Sequence, residues 1–523
     1  MALLLVGGFA FLVVTILWLD NAQGGLTGNG IFKAMDLRPW IEDPANAPLY
    51  PANYLFFPFY GVGGRLLDML GVYPHDPRHQ LTIMNAFSAS VCLTIVYALI
   101  RQITGERAIA FACAFFHIAC NDVLFLAIIN EDIMSSYTIM FASMALAGLW
   151  FARPTALRVV LVSILFSIGW LFEWRLMFPT LPAMAVALWF CEDKLLKRFG
   201  WIVLFAAVMI ACAYIAAFVT RGHNEAVGPW KLIWTGKAVD SAWAGFTWAK
   251  AFFLQDGVSA YLLGIRFAEE IPNIPGWDIW RFTAMGCELA IAVVTLRHLW
   301  RTRGEKRSWS LFGIFGGTLV AGQVFNLYSQ PHDPQMQINV MGWLTVGWAL
   351  VLVAAKKRWP QRGLAALGAF TVVLLAYNIV SLVPLRGQDT MWRQGVERME
   401  QRFDTNRLVL VMHDFDWVMT YTSAFWGRIY PGVDDLGDAL AREGRILTNF
   451  HVAPACSPTR AMLMSGTDHH LVGLGHRPDR LRMRQQGGQE AGGVLGLLHA
   501  DQQVQRPIRP AGKHVRQGLC ERL

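Results

Sequence analysis

The chain has 523 residues, of which 54% are hydrophobic, 13% aromatic and only 16% charged. Soluble proteins carry about a quarter charged residues. Because the apolar residues form long runs, the composition excludes one large soluble domain and indicates membrane-spanning segments. The net charge of +8 does not indicate nucleic-acid binding, since most Lys and Arg residues lie in short loops between apolar runs. We therefore expect the lipid bilayer, and no nucleic acid, as a partner.

Eleven apolar runs each approach the ~20 residues that a membrane-spanning helix needs. The predicted spans are residues 2–19, 81–100, 108–128, 133–152, 159–173, 175–191, 201–219, 280–299, 309–328, 337–355 and 363–384. The fifth and sixth are short, and we expect them to be tilted or distorted. The first run lacks a basic start and a small-residue cleavage site, which favours a signal anchor or first span. The sequence predicts an all-α polytopic membrane protein with about 11 transmembrane helices.

The orientation of the chain follows from its basic loops. Five short loops carry the basic residues Arg101 and Arg107; Arg153 and Arg158; Lys194, Lys197 and Arg198; Arg297, Arg301, Arg303, Lys306 and Arg307; and Lys356, Lys357, Arg358 and Arg362. Such loops face the cytoplasm, so we expect a cytoplasmic N-terminus and a periplasmic or outside C-terminus. The long loops 20–80 and 220–279 then lie outside, where we expect the functional residues. The aromatic segment Asn53–Val72 is expected to lie in the interface or to re-enter the membrane.

The composition changes after the last apolar run. We expect residues 1–384 to form the polytopic domain and residues 385–427 a small α/β-like outer segment, in which residues 407–412 read as a strand. Residues 476–523 are rich in Gln, Arg and Gly and contain no Phe, Tyr or Trp. Such a tail cannot bury a core and is predicted to be disordered.

Polar and charged residues gather on the predicted outer face, although charged groups at membrane depth are costly and usually functional. They are Asp20, Asp36, Glu42, Asp43, Asp122, Glu131, Asp132, Glu173, Arg175, Asp333 and Gln335. Each carboxylate alone is also explained by solvation or by a helix cap. Together they suit a site in which a carboxylate takes the proton of a hydroxyl acceptor and an Arg binds a phosphate.

This pattern resembles the C-type membrane glycosyltransferases, which use polyprenyl-phosphate sugars as donors. The resemblance covers roughly residues 1–425 and rests on four features. They are Asp20 after the first span, APLYPANYLFFP (Ala47–Pro58), NEDIM (Asn130–Met134) and EWRLMFP (Glu173–Pro179). It implies inverting sugar transfer from a lipid-linked donor at the outer face.

The same resemblance implies a set of catalytic residues. An Asp of the first loop would act as the base, which by position is Asp20, with Asp36 or Asp43 as alternatives. Glu131, Asp132 and Arg175 complete the candidate set. The resemblance fixes neither the sugar nor the acceptor, and it leaves a divalent metal open, with no cofactor certain.

Residues 432–475 resemble the type I sulfatases. Cys456-Ser457-Pro458-Thr459-Arg460, followed by Ser465-Gly466, matches the signature C-x-P-[ST]-R of that family. The resemblance implies that Cys456 would be oxidised to formylglycine, which attacks the sulfate ester, and that Arg460 would help to hold it. Asp434 and Asp435 match the pair that binds a calcium-type cation.

The sulfatase-like part, residues 428–475, also departs from its family. VDDLG runs directly into DALAREG, although a stretch with a turn and a helix start separates the two in arylsulfatases. The resemblance stops after Gly475. We expect this fragment to be truncated and inactive, so calcium and formylglycine would matter only if it worked. Our hypothesis is a fusion of a membrane protein ending near Trp426 with a damaged sulfatase start. The fragment and the absence of organelle signals favour a bacterial inner membrane.

Two other functions remain open from the sequence. A transporter or flippase is favoured by the span count and by the in-membrane polar residues His117, Asn121 and Asp122. Against it, the sequence shows no inverted repeat and no matched pair of Gly/Pro-broken helices. The other alternative is a sulfatase (sulfuric ester hydrolase), inferred from the C-terminal fragment alone.

Overall fold

The computed structural model describes residues 1–20, 29–45, 47, 54–130, 133–191, 194–219, 262, 277–302, 305–328, 338–358, 362–383 and 386–387. The chain divides into two units, Met1–Met391 and Trp392–Leu523. All described residues belong to the first unit. The predicted strand at 407–412, the sulfatase-like fragment and the tail therefore lie outside the described residues.

The described part of the first unit contains α-helices and no strand, which confirms the all-α prediction for it. In chain order the helices are α1 (Ala2–Leu19), α2 (Asn29–Glu42), α3 (Phe56–Met69), α4 (Pro77–Thr104), α5 (Arg107–Ala119), α6 (Asn121–Ile128), α7 (Ile133–Trp150), α8 (Ala156–Phe172), α9 (Trp174–Met177), α10 (Thr180–Cys191), α11 (Leu195–Val219), α12 (Trp277–Arg301), α13 (Lys306–Tyr328), α14 (Ile338–Arg358) and α15 (Arg362–Ser381). Every predicted span overlaps one of these helices or a consecutive pair of them.

Length and composition support fewer spans than the eleven predicted. Among the described residues, seven helical segments are long and apolar enough to cross a membrane, and a bent pair brings the number to eight. The seven are Ala2–Leu19, Pro77–Thr104, Ile133–Trp150, Trp174–Cys191, Leu195–Val219, Lys306–Leu327 and Arg362–Ser381. The short fifth run forms the 17-residue α8. The protein is an integral membrane protein, and the spans beyond these eight remain predictions.

The third predicted span, residues 108–128, is a broken helix rather than a continuous one. Its halves, α5 and α6, meet at 64°, because Cys120 between them has an extended backbone (φ −68°, ψ 140°). The amide of Asn378 in α15 donates to Ala119 O at 2.7 Å, and equally to Leu262 O. A carbonyl left open by the break thus has a side-chain partner, as buried backbone groups require.

Close helix crossings and aromatic contacts build the core. α7 and α13 approach at Gly148, where an added Cβ would lie 2.7 Å from Cδ2 of Leu311 and 3.2 Å from its Cα. Nearby, the buried rings of Phe141 and Phe315 meet edge to face at 5.6 Å. Small residues that let backbones approach are typical of helix packing in membranes.

The basic loops meet at one end of the bundle, which we call the basic end. Lys356 pairs with Glu106 at 2.5 Å. Lys306 Nζ donates to Cys191 O, and Arg307 Nη2 donates to Gln102 O, both at 3.3 Å. Loops that follow different helices are thus tied together on one side of the protein.

The first loop lies at the other end, which we call the first-loop end. Leu55 N donates to Leu171 O at 2.9 Å, and this bond joins the start of α3 to the end of α8. Asn85 in α4 donates to Ile129 O at 2.8 Å. Helices α2, α3 and α9 and the end of α6 therefore gather where the predicted catalytic residues belong.

Candidate active site

Helix α3 is anchored to the bundle by its aromatic side chains. Phe56, Phe57 and Tyr60 are buried against Trp40 of α2 and Phe172 of α8. The helices α2 and α3 approach closely at Gly61, where a Cβ would lie 2.6 Å from Cβ of Trp40. The aromatic run of the first loop thus forms a packed helix.

Tyr54 fixes the segment just before α3. Its hydroxyl donates to Ala216 O of α11 at 3.1 Å, and its side chain is almost fully buried. Burial raises the pKa of Tyr54 to about 12, so the phenol remains a neutral donor. We therefore read Tyr54 as an anchor of the first loop and not as a proton-transfer group.

The opposite face of α3 is apolar and exposed. Its exposed side chains follow helical spacing and are Phe59, Val62, Leu66 and Met69, with Leu70 directly after the helix. A stripe of this kind suits contact with lipid chains at a membrane interface. Helix α3 therefore presents an apolar face suited to a long hydrocarbon chain.

A buried polar network lies beneath α3. The Tyr60 hydroxyl donates to Oδ1 of Asn85 at 2.5 Å and shares a hydrogen bond with Oγ of Ser135. Ser135 also bonds to Ser88 at 2.7 Å, while the amide of Asn85 holds the carbonyl of Ile129. This network joins the first loop to the start of α7, directly after the predicted acidic pair Glu131–Asp132.

Asn130 lies in the same region with an unused polar group. Its side chain is fully buried, and neither Oδ1 nor Nδ2 has a hydrogen-bond partner among the described residues. Leaving such a group unbonded costs about 1–3 kcal/mol. We therefore expect it to bond to a ligand, to water or to the adjacent residues 131–132.

Glu173 and Arg175 form a salt bridge at this end. Glu173 caps α9 and accepts from Arg175 N at 3.1 Å, from Nε at 2.7 Å and from Nη2 at 3.1 Å. The Glu173 side chain is 1% exposed, whereas that of Arg175 is 34% exposed. The carboxylate therefore holds one edge of a guanidinium that is reachable from outside.

Asp20 ends α1 in a left-handed conformation (φ 48°, ψ 50°) and is half-buried. The chain returns to this point at residues 386–387. Arg386 Nε donates to Trp18 O at 3.0 Å, and Gly387 N donates to Leu19 O at 2.9 Å. Arg386 brings a cation to the end of α1. Sequence analysis did not select it, although an Arg directly after the last apolar run was an available signal.

A second ion cluster missed by sequence analysis orders the start of α4. Asp76 accepts from Arg78 Nη2 at 2.8 Å and contacts His79 Nδ1 at 2.8 Å, and His79 stacks on Tyr73. Burial raises the pKa of Asp76, but the hydrogen bonds and charges of His79 and Arg78 outweigh it and hold the pKa well below its usual range. The motif HDPRHQ (His75–Gln80) was the available signal, and its role is to hold the first loop.

His117 lies deeper in the bundle and is fully buried. Its Nδ1 bonds to Thr345 Oγ1 at 2.8 Å, and its Nε2 lies 3.3 Å from the Tyr137 hydroxyl. Asn121 and Asp122, both buried, begin α6 just after the break at Cys120. Buried polar residues therefore lie on both sides of the break in this helix.

The other predicted site residues are spread out or fall outside the described residues. Asp36 is half-buried within α2, Asp43 is exposed just after it, and Glu42 pairs with Arg38 at 2.7 Å. Those outside the described residues are Glu131, Asp132, Asp333, Gln335, Asp434, Asp435, Cys456, Pro458 and Arg460. Within the described ranges, no group of three His, Cys, Asp or Glu side chains is placed to hold a metal ion.

No family model matches the chain, but the chain is similar to other known proteins. An uncharacterized sulfatase of Schizosaccharomyces pombe is 47% identical over 78 residues, which are 15% of this chain. The chain spans only 13% of the length of that relative. This match confirms the resemblance to sulfatases. The crystal structure of ArnT from Cupriavidus metallidurans, bound to undecaprenyl phosphate, aligns with 85% of this chain and 96% of its own, with a TM-score of 0.48 and 12% identity.

Proposed function

We propose that the chain is a membrane glycosyltransferase that moves a sugar from a polyprenyl-phosphate donor to a hydroxyl acceptor at the first-loop end. We place this end on the outer face of a bacterial inner membrane, with the N-terminus in the cytoplasm. The positive-inside rule supports this orientation, because the basic loops lie at the opposite end.

The observation that carries the proposal is the partly exposed Arg175 of α9, which lies at the same end of the bundle as the exposed apolar face of α3. Glu173 holds one edge of the guanidinium through Nε and Nη2. The Arg175 side chain is 34% exposed, and the N–H donors of a guanidinium suit phosphate oxygens. The turn that carries Arg175 is joined to α3 by the bond between Leu55 N and Leu171 O. A phosphate and its hydrocarbon chain would thus meet adjacent surfaces suited to each.

In the proposed reaction, the acceptor oxygen attacks the anomeric carbon while the bond from that carbon to the phosphate oxygen breaks. The leaving phosphate keeps the electron pair, and Arg175 stabilises its charge. Asp20 takes the proton of the acceptor hydroxyl as general base. Asp36 and Asp43 are the alternative bases, and Glu131 and Asp132 are proposed to help position the acceptor.

The C-terminal fragment is proposed to contribute no sulfatase activity. Its departures from the family around Asp434–Asp438 and after Gly475 support this view, because a catalytic pocket needs all its groups held in place. Purified full-length chain should not hydrolyse an aryl sulfate. Turnover that disappears in a Cys456→Ala variant would show that the fragment is active.

A transporter is the second candidate, and the break between α5 and α6 favours it. Discontinuous helices with buried polar residues line the substrate sites of many transporters. In those folds such helices come in corresponding pairs, whereas the described residues contain one helix pair that is bent in this way. We therefore rank it below the glycosyltransferase.

Mass spectrometry of lipids that copurify with the full-length chain in mild detergent tests the proposal. We expect a bound polyprenyl phosphate or its sugar conjugate, depleted in Arg175→Ala. Arg107→Ala is the matched control, because Arg107 is exposed at the start of α5, at the basic end. Bulk phospholipid alone in all three samples would favour the transporter.

A further inference from the structure

A cavity of about 1160 Å³ opens at the basic end, away from the candidate active site. It lies where α7 and α10 end and where α8 and α13 begin. Its lining combines apolar Leu149, Trp150 and Pro154 with the charged residues Arg153, Arg158 and Lys306. Ligand sites commonly occupy about 300–1,000 Å³, so the cavity has room for a lipid head group.

The cavity carries an excess of positive charge. Four cationic residues line it, Arg153, Arg158, Lys306 and Arg307, against one carboxylate, Glu305. Arg153, Arg158 and Arg307 form no ion pair with a carboxylate in the part of the chain that the structure describes. We therefore expect the cavity to attract an anion.

Arg158 and Arg307 are each held in place by a hydrogen bond that uses only one of their N–H donors. Arg158 Nη1 donates to Arg153 O at 2.9 Å, and Arg307 Nη2 donates to Gln102 O at 3.3 Å. Each bond uses one of the five donors of an Arg side chain. Both side chains are half-buried, which limits their rotation and keeps the remaining donors at the cavity.

The helix ends add to this preference. Thr155 caps α8, and its side chain accepts from Arg158 N at 3.3 Å, while α13 begins at Lys306. Backbone N–H groups at a helix start carry partial positive charge and favour anions. Here that effect acts on the same cavity as the cationic side chains.

A second cavity of about 510 Å³ shares Glu305 and Arg307 with the first. Its walls include the apolar residues Val294, Leu311, Phe312 and Leu350, with Arg297 and Arg301 at its rim. An apolar space next to a basic one matches a lipid, whose chains adjoin its phosphate. A free phosphate ion would leave these walls unused.

We propose that these adjacent cavities bind an anionic phospholipid from the leaflet at the basic end, with its phosphate head group at the residues that the two cavities share. Arg158 and Arg307 contact the phosphate oxygens, and Leu311 and Phe312 contact the acyl chain. Basic pockets between transmembrane helices are a known form of lipid recognition. This site is separate from the proposed transfer site and does not depend on it.

The test uses the full-length chain, delipidated in detergent, with native mass spectrometry of added lipid. The probes are phosphatidylglycerol, phosphatidylcholine and inorganic phosphate. We expect phosphatidylglycerol to bind to the wild-type chain. It should bind roughly 30-fold more weakly to the double variant Arg158→Gln/Arg307→Gln, because each Lys or Arg near an anionic lipid raises the affinity roughly fivefold. The matched control is Arg107→Gln/Arg362→Gln, which removes two exposed basic-end charges outside both cavities.

Each other outcome overturns the proposal. Equal weakening in both double variants would mean that only overall charge matters. Phosphatidylcholine binding as tightly as phosphatidylglycerol would exclude charge recognition, and inorganic phosphate competing at equal concentration would indicate a soluble ligand. If the double variant fails to fold, the single variants decide, because Arg158→Gln should weaken phosphatidylglycerol binding more than Arg107→Gln does, and equal weakening would overturn the proposal.

Discussion

The carboxylate of Glu173 holds Arg175 through two side-chain contacts, at 2.7 Å to Nε and 3.1 Å to Nη2. The two partners differ in exposure, at 1% for Glu173 and 34% for Arg175. The pair is therefore asymmetric. Loss of Arg175 removes a charged partner of a buried carboxylate, whereas loss of Glu173 leaves a guanidinium that water can reach.

This asymmetry predicts an order of stabilities. Arg175→Gln should lower the free energy of unfolding by about 3 kcal/mol, because a buried carboxylate loses the guanidinium bonded to it through Nε and Nη2. Glu173→Gln should cost only about 1–2 kcal/mol, since the remaining cation is partly solvated. Unfolding of the detergent-solubilised single and double variants measures both values and their coupling. A larger cost for Glu173→Gln would contradict the asymmetric pair.

Tyr60 links the first loop to α4 and α7 through its hydroxyl group. Tyr60→Phe removes the hydrogen bonds of the Tyr60 hydroxyl to Asn85 and Ser135, both of which are buried and lose a hydrogen-bond partner. We expect a loss of about 1–3 kcal/mol in the free energy of unfolding. Tyr377→Phe is the matched control, because the Tyr377 side chain is 43% exposed, and it should change stability by less than about 0.5 kcal/mol. Equal losses of stability in the two variants would show that the hydrogen bonds of Tyr60 do not stabilise the fold.

Asp76 predicts an acid-sensitive first loop. The contacts with His79 and Arg78 hold its folded pKa below the unfolded value, so the carboxylate stabilises the fold at pH values above the unfolded pKa of about 3.9. That contribution is lost as the pH falls from about 4 toward the lower folded pKa. Hydrogen exchange at residues 73–80 should accelerate as the pH falls below about 4, beyond its intrinsic pH dependence. Asp76→Asn should abolish this extra change, and an unchanged pH profile in that variant would assign it to another group.

The helices were largely predictable from the sequence, because hydropathy reports burial in lipid over about 20 residues. Residues 2–19, for example, coincide with α1. The break at Cys120 was not predictable, since the run Ala119–Asp122 contains neither Gly nor Pro. Its capping groups, Asn378 and Leu262, are remote in sequence. The count of spans was also less certain than their positions, because short helices such as α8 fall just below the usual length.

The candidate site was predictable in its residue types but not in its contacts. Glu173 and Arg175 stood out as charges flanking Trp174, yet their pairing depends on the extended backbone of Glu173. Arg386 reaches α1 only through the fold. Residues 53–72 were predicted to lie in the interface or to re-enter the membrane, with no secondary structure assigned, whereas α3 depends on packing against Trp40 and Phe172.

Asp20 provides the sharpest test of the proposed chemistry, because its carboxylate should matter for transfer and not for donor binding. Asp20→Asn keeps the size of the side chain and removes its basicity. We expect the variant to retain copurified polyprenyl lipid, as wild type does, and to lose about 10²-fold or more in sugar transfer. Sugar transfer is measured as the amount of polyprenyl phosphate released from the lipid-linked sugar that copurifies with the wild-type chain.

Asp43→Asn is the matched control for Asp20, since Asp43 is an exposed first-loop carboxylate and one of the alternative bases. If Asp20 is the base, Asp43→Asn should leave transfer within about twofold of wild type, as surface substitutions usually do. Loss of transfer in Asp43→Asn, with Asp20→Asn active, would move the base to Asp43. Full activity in both variants would leave Asp36 as the remaining first-loop candidate, and Asp36→Asn would then decide whether the base lies in this loop.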